Sequence, residues 1–472
     1  MAKNKLENLL FKSELFWDEA SQAEQNQASK FSEQYKEFLN KAKIETEVVQ
    51  ESIKLAKQVG YKEVSLDPTS PRLHGASDKL GKNKKVFFVN RGKSVVLVDL
   101  GNKDLEKGAN FLLAHTDSPR LDLKVRPLYE DGGIAYLKPH YYGGIKKYHW
   151  PAIPLEMRGS IILKNNQEVN INIGGKTNEP VFVISDLLPH LEKEKLEKPL
   201  KDAIDGEEMN IIVGSIPVKD KKAKERVKLA ILEWLNKNYK IKEVDFVSAD
   251  IRFVPAFEAR DVGLDKSLVG GYGQDDRVCV YTSLQAFLQA KNKQSKILYL
   301  VDKEEVGSMG TTGAMSLWLE NVLEYLLKQT NSELSVNDIF RKSSAISADV
   351  VAAFDPDYKN VFDEKNSIHL GKGVAIEKYL GYRGKALTVD AEPKFLREMM
   401  DLFEQKKVVW QTGHLGKIDQ GGGGTVAVHL ANRNLEVVDM GVALLNMHAP
   451  YELASKGDIF SAYKGYKAFL EK

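Results

Sequence analysis

Two glutamates, Glu304 and Glu305, stand side by side in VDKEEVGSMGTTGA, which follows directly from the apolar run SKILYLVD. Adjacent carboxylates repel, so solvent, a basic neighbour or a cation must compensate them. Four further stretches bring similar groups to the end of an apolar run or the start of a helix. FLLAHTDSPR carries His115 and Asp117, GGYGQDDRVCV carries Asp275 and Asp276, ISADVVAAFDP carries Asp349, and GVALLNMHAPYE carries His448. Singly, each has a plain structural reading: a helix N-cap for Asp275, a turn for Asp349, a core histidine for His448, a solvated strand end for the glutamates. Together they are acidic sites bracketed by two histidines, and imidazole nitrogen and carboxylate oxygen are donors that zinc, manganese or cobalt accept. Two metal ions, one bridging carboxylate and two histidines would use this set, leaving one glutamate of the doublet to handle protons on water. His115 and Asp117, at i and i+2, share a face of an extended chain. A carboxylate so placed can orient a metal-bound imidazole.

Other chemistries lack their residues. The chain has no HExxH, no GxxxxGK[ST] phosphate loop and no GxSxG elbow. Its single cysteine, Cys279, lies in RVCVYTSLQAF on an apolar helical face and reads as a buried, inert thiol. QGGGG at 420–424 has no lysine or helix start to cradle phosphate and reads as a flexible or close-packed loop.

The elements that must position these groups are legible from periodicity. SKILYLVD predicts a strand buried on both faces, as in a parallel sheet, with AMSLWLENVLEYLLKQ as a helix beyond the glycine-punctuated loop. The carboxylate pair then falls at the C-terminal edge of a sheet strand, where open α/β sheets bind ligands. Residues 1–60 have helical spacing, ending at Gly60. KVFFVNRGKSVVLVDLG predicts a hairpin, and GANFLLAHTD a strand broken at Ser118–Pro119. From about residue 120 to 250 the pattern turns β-rich, with GSIILKNNQEVNINIGG alternating like a hairpin. The basic helix KDKKAKERVKLAILEWLNKNY keeps its apolar period, so its lysines read as a solvated face. From Asp245 strands alternate again with helices: DFVSADIRFVP, KILYLVD, SSAISADVVAA, GVAIEKY and LEVVDMGV, with DAEPKFLREMMDLFEQKK among the helices. The predicted architecture is an α/β domain built from 1–119 and 250–472, interrupted by a β-rich insertion at 120–249.

Totals narrow the function class. The 472 residues exceed one typical domain. Lys plus Arg is 68 against 66 Asp plus Glu, a net +2, which gives no electrostatic footprint for nucleic acid or an anionic membrane. One cysteine fits a reducing compartment, the N-terminus lacks a signal peptide's apolar core, and no run reaches about 18 apolar residues. A cytoplasmic protein is the expectation.

AHTDSPRLDLK, GYGQDDR, KEEVGSMGTTGA, SADVVAAFDP, GKGVAIEKY and GGGGTVAVHLANRNLEVVDMGVALLNMHAPYELAS resemble, in order and over nearly the whole chain, the aspartyl (vacuolar) aminopeptidase family of dinuclear zinc exopeptidases. The chain is similar to a bacterial-type member. The resemblance implies a zinc-peptidase α/β/α sandwich with a mostly parallel sheet, and an inserted β-rich domain that mediates dimerisation. It implies two divalent ions per subunit, most simply zinc, with manganese or cobalt as alternatives. His115, Asp275 and Asp349 match the ligands of one ion, and Asp275, Glu305 and His448 those of the other, Asp275 bridging. Glu304 matches the general base, and Asp117 the residue that orients a metal-bound group. Asp276 falls where relatives often carry Asn. Peptides are the implied substrates, and a homodimer within a homododecamer the implied assembly. Two positions depart from the pattern. Glu377, with Lys378 beside it, falls where acid-specific relatives carry a lysine near the substrate side chain; an acidic residue there would repel an N-terminal Asp or Glu, so a neutral or basic N-terminal residue stands as an expectation equal to an acidic one. VISDLLPHLEK offers Asp186 or His190 where some relatives contribute a histidine to the partner's site. The competing readings are a related dinuclear hydrolase, such as a deacetylase or carboxypeptidase, a silent oligomeric scaffold, and a carboxylate-pair glycosidase indifferent to chelation.

Overall fold

The computed structural model describes residues 9–66, 85–101, 105–291, 294–381 and 383–472. The expected helical span therefore begins, among described residues, with a short turn at Phe16–Glu19 and the helices Gln22–Lys41 and Glu45–Gln58; its first eight residues lie outside the described set. The chain divides into two units: one comprises residues 1–117, 259–447 and 452–472, the other 118–258 and 448–451.

In the first unit, nine strands form one sheet in the order Lys62–Glu63, Lys85–Asn90, Ser94–Asp99, Ser295–Val301, Ala109–His115, Ser344–Ser347, Glu436–Gly441, Val374–Glu377, Trp410–Thr412. Five of its pairings are parallel and three antiparallel, so the sheet is mixed around a parallel centre. Strand residues alternate between two apolar layers: Phe87, Leu97, Leu112 and Leu298 enter one, Phe88, Val98, Phe111 and Ile297 the other. Helices cover both faces, which is why these strands read as unbroken apolar runs rather than alternating ones. On one face lie Gln274–Gln289 and Lys456–Leu470. On the other, Trp318–Thr330 buries Leu319, Val322, Leu323, Leu326 and Leu327. That 3–4 spacing is one helical stripe, and each such side chain contributes about 2 kcal/mol of transfer free energy. A smaller five-stranded sheet of the same unit links Arg260–Val262, Leu268–Gly271, Glu452–Ser455, Ala443–Leu445 and Val351–Ala352.

The second unit is a seven-stranded antiparallel sheet, ordered Glu168–Ile173, Leu155–Ile162, Ala249–Pro255, Arg120–Asp131, Ile134–Tyr142, Ile211–Gly214, Val183–Ile184. The helix Arg226–Tyr239 packs on it. Ala249–Pro255 belongs to this sheet through its pairs with Leu155–Ile162 and Arg120–Asp131, and the residues before it, Glu243–Ser248, form a 3-10 helix rather than strand. Leu191, Leu196, Leu200 and Ile216 of this unit are more than 60% exposed, an unusual concentration of large apolar surface. Among the described residues no helix is long and apolar enough to cross a membrane.

Candidate metal centre

Three neighbouring parallel strands each lead to a chemical group at the C-terminal end. Ala109–His115 pairs with Ser295–Val301 on one flank and Ser344–Ser347 on the other, with Val301 opposite His115. The chain leaving the first flank reaches Glu304 and Glu305; the chain leaving the second reaches Asp349. Asp275 and Asp276 come from the first turn of Gln274–Gln289, which packs against the strand carrying His115, and the peptide between them is cis. Residues more than a hundred positions apart thus converge because the strands share a register.

His115 Nε2 lies 3.1 Å from Asp275 Oδ1 and 3.7 Å from Asp349 Oδ1. The His115 backbone N–H donates to Asp276 Oδ2 at 3.1 Å. His115, Asp275, Asp276 and Asp349 are all buried, and each offers a donor atom within 4.8 Å of the others. His115, Glu304 and Glu305 form a second such group.

Asp117, fully buried, ties the histidine to the glutamates. Its Oδ1 is 3.4 Å from His115 Nδ1, and its carbonyl oxygen 2.9 Å from the same nitrogen. The same carboxylate accepts the backbone N–H of Glu304 at 3.2 Å and of Glu305 at 3.3 Å. One side chain therefore orients the imidazole and sets the height of both carboxylates. Two glycines make close backbone approaches beneath the cluster possible. A Cβ on Gly313 would sit 2.2 Å from the Ser308 carbonyl oxygen, closing off the loop that carries the doublet, and a Cβ on Gly441 would sit 1.6 Å from the Asp349 carbonyl oxygen.

The electrostatics follow from burying several carboxylates together. Burial alone would lower the His115 pKa, but Asp117, Asp275, Asp276 and Asp349 outweigh it and hold the imidazole well above its ordinary value. Burial, against the pull of His115, pushes Asp276 far up, with Asp349 and Asp275 adding to it. Asp349 is raised by burial as well. Burial pushes Glu304 up to about 8, with His115 opposing and Asp349, Asp275 and Asp117 reinforcing. Among the described residues this cluster sets one imidazole among carboxylates, whose shared pull on its proton is what raises its pKa. A divalent cation would replace that proton, lower the carboxyl pKa values and find nitrogen and oxygen donors of the kind zinc takes. The donor set fits a metal.

Glu377 ends the strand Val374–Glu377, is buried, and sits opposite Asp439; burial first, then Asp439 and Asp349, hold it well above the carboxylate range. It is thereby favoured as a neutral acid rather than an exposed charge. Lys378 beside it is exposed. The cavity beyond, about 820 Å³, is lined by Tyr379, Lys385, His414 and residues of the glycine-rich stretch such as Gly421. His190 and Asp186 are exposed residues of the second unit, where Asp186 pairs with Lys195. His448 belongs to the second unit, with its Nδ1 2.8 Å from the Gly144 carbonyl oxygen. Cys279 is buried, and burial raises its thiol pKa, as suits an inert side chain. Sequence reasoning assigned Asp276 no ligand role; its place in the cluster depends on the turn at the helix start. Asp302, also buried, was hidden just past the strand Ser295–Val301, and burial pushes it up to about 6.

The model of the aminopeptidase I zinc metalloprotease family (M18) matches residues 38–470. A curated protein of Clostridium acetobutylicum, "Probable M18 family aminopeptidase 1", is 46% identical over 96% of this chain and 97% of its own length. The crystal structure of an M18-family aminopeptidase from Thermotoga maritima superposes with a TM-score of 0.92 at 42% identity, covering 98% of this chain and all of that one. A yeast structure, the S. cerevesiae mApe1 dodecamer, has a TM-score of 0.73 at 19% identity over 94% of this chain and 97% of that one, a likeness of fold alone. The fold, the buried His–Asp cluster and these full-length identities converge: the chain belongs to the M18 family of zinc metalloprotease aminopeptidases and is a hydrolase of that class.

Proposed function

We propose that this chain removes N-terminal residues from peptides at a centre of two zinc ions, with Glu304 as general base. His115, Asp275 and Asp349 hold one ion; Asp275, Glu305 and His448 hold the other, on the pattern of the family resemblance. Bound there, the ions would act as Lewis acids, increasing the acidity of water and offsetting charge on the scissile carbonyl oxygen. Glu304 accepts a proton from the attacking water and returns it to the leaving amine nitrogen. Asp117 keeps His115 oriented and the Glu304 carboxylate at a fixed height, so the base meets its proton without searching. The observation that supports this most directly is the single Asp117 carboxylate, bound at once to the His115 ring and to the amides of both glutamates.

Glu377, standing where acid-specific relatives carry lysine, offers no cation to an acidic side chain, so neutral or basic N-terminal residues are cleaved faster than Asp or Glu. The exposed apolar side chains of the second unit support self-association there, into a homodimer and by analogy with the yeast relative a homododecamer. A single cysteine supports a reducing, cytoplasmic location.

Cleavage of aminoacyl-nitroanilides bearing Asp, Glu, Leu and Lys, with and without a chelator, tests the reading. Chelator-sensitive release with Leu and Lys ahead of Asp and Glu is expected. Chelator-resistant turnover removes the metal mechanism, and preference for the acidic substrates removes the role given to Glu377.

A further inference from the structure

The loop that carries Glu304 and Glu305 leaves the sheet at Asp302 and returns to it at Gly313, where an isolated bridge closes it. Between these points it presents Val306 and Met309 to solvent. Its neck is held by a ring of buried polar groups from the end of the hairpin Lys85–Asp99. Asn90 Nδ2 donates to the Thr311 carbonyl oxygen at 2.7 Å, and Ser94 Oγ donates to the Thr312 carbonyl oxygen at 2.7 Å. The Asp302 N–H donates to Ser94 Oγ at 3.1 Å, and Thr312 Oγ1 donates to Asp302 Oδ2 at 2.6 Å. Asn90, Ser94, Asp302 and Thr312 are each less than one-tenth exposed. The same hairpin end reaches the other half of the site: Thr116 Oγ1, between His115 and Asp117, donates to the Lys93 carbonyl oxygen at 2.9 Å.

We propose that Asn90, Ser94 and Thr312, with Asp302, are positioning residues: the hairpin end brackets the two chain ends bearing His115 and Glu304–Glu305 and fixes the distance between them. This rests on the functional reading of those glutamates given above. A neck fastened by directional hydrogen bonds holds one height, whereas apolar contacts would let the loop slide; displacement of a general base by about 1 Å is enough to cost roughly 100-fold in rate. The bracket touches no substrate and contributes no donor to the metal cluster.

Thr312→Val removes the hydroxyl and keeps the shape, and Thr312→Ser keeps the hydroxyl. With leucine nitroanilide, assayed well below the thermal midpoint, Thr312→Val is expected to lower kcat at least about tenfold, with KM within about threefold, zinc content unchanged and the midpoint lowered by only a few degrees as buried Asp302 loses a donor, while Thr312→Ser stays within about threefold of wild type. Amide exchange over residues 303–313 is expected to quicken in Thr312→Val and not in Thr312→Ser. Wild-type kcat and exchange in Thr312→Val would overturn the bracket, as would a loss of kcat that merely follows a lower thermal midpoint. The exchange measurement decides the matter even if wild-type protein cleaves none of the substrates, a result that would instead remove the assignment of Glu304.

Discussion

Asp458 and the Asp275–Asp276–Asp349 group are both buried carboxylates in the first unit, but the protein treats them in opposite ways. Asp458, in the first turn of Lys456–Leu470, accepts the backbone N–H of Gly371 at 2.8 Å and of Gly373 at 2.7 Å. Each oxygen faces an amide hydrogen, and the carboxyl still rises to about 7 because burial outweighs those two bonds. Beside His115, by contrast, Asp275 and Asp349 converge on one imidazole and Asp276 accepts the backbone amide of the same residue. For Asp458 the chain supplies an amide to each oxygen; around His115 it crowds three carboxylates whose mutual repulsion a cation would relieve.

Removing metal should separate the two regions most strongly. Dialysis against a chelator is expected to abolish peptide hydrolysis and lower the thermal midpoint, zinc restoring both; at free metal about 1,000 times Kd, linkage alone supplies about 4 kcal/mol. A midpoint indifferent to zinc would mean that the aspartate cluster is as self-sufficient as Asp458. Glu304→Gln should lower kcat about 10³-fold while atomic absorption finds the metal unchanged. Full activity in that variant would move the base elsewhere. Asp458→Ala should lower stability by about 2–3 kcal/mol in denaturant unfolding, by stranding two amides, without reducing zinc per folded chain. Zinc loss in that variant would show the two regions to be coupled.

The smallest expected effect is a slope with pH. Asp458 has a folded pKa of about 7 against 3.8 for the free side chain. A raised carboxyl pKa means that the folded state binds the extra proton, so its stability is fully present at low pH and falls as pH climbs through that window. From pH 5 to pH 8 wild type should lose on the order of 2 kcal/mol relative to Asp458→Asn, which carries no titrating group there. Parallel stability profiles for the two proteins would dispose of the shift.

What the sequence made legible was whatever repeats along one element. The apolar runs ending at His115, Val301 and Ser347 are strands, and the acidic residues just past them are at the site. Their alignment across the sheet could be read only as a convergence of types, because register between strands leaves no local signature. Asp458 was invisible for a related reason: in KGDIF it looks like a solvated helix start, and its donors lie 85 residues and more away in sequence. Asn90, Ser94 and Thr312 are ordinary turn and loop residues until the fold stacks them. Asp276 looked like a companion to Asp275 because the turn that aims it at the His115 amide is a backbone feature with no residue pattern of its own.

At Gly441 the backbone runs so close to Asp349 that even a methyl group has nowhere to go. That position is closed to drift: an alanine there must displace the neighbouring aspartate's peptide before it disturbs anything else. Gly441→Ala would thus shift the backbone that carries Asp349, the residue proposed above to hold a metal ion, while leaving every donor atom chemically intact.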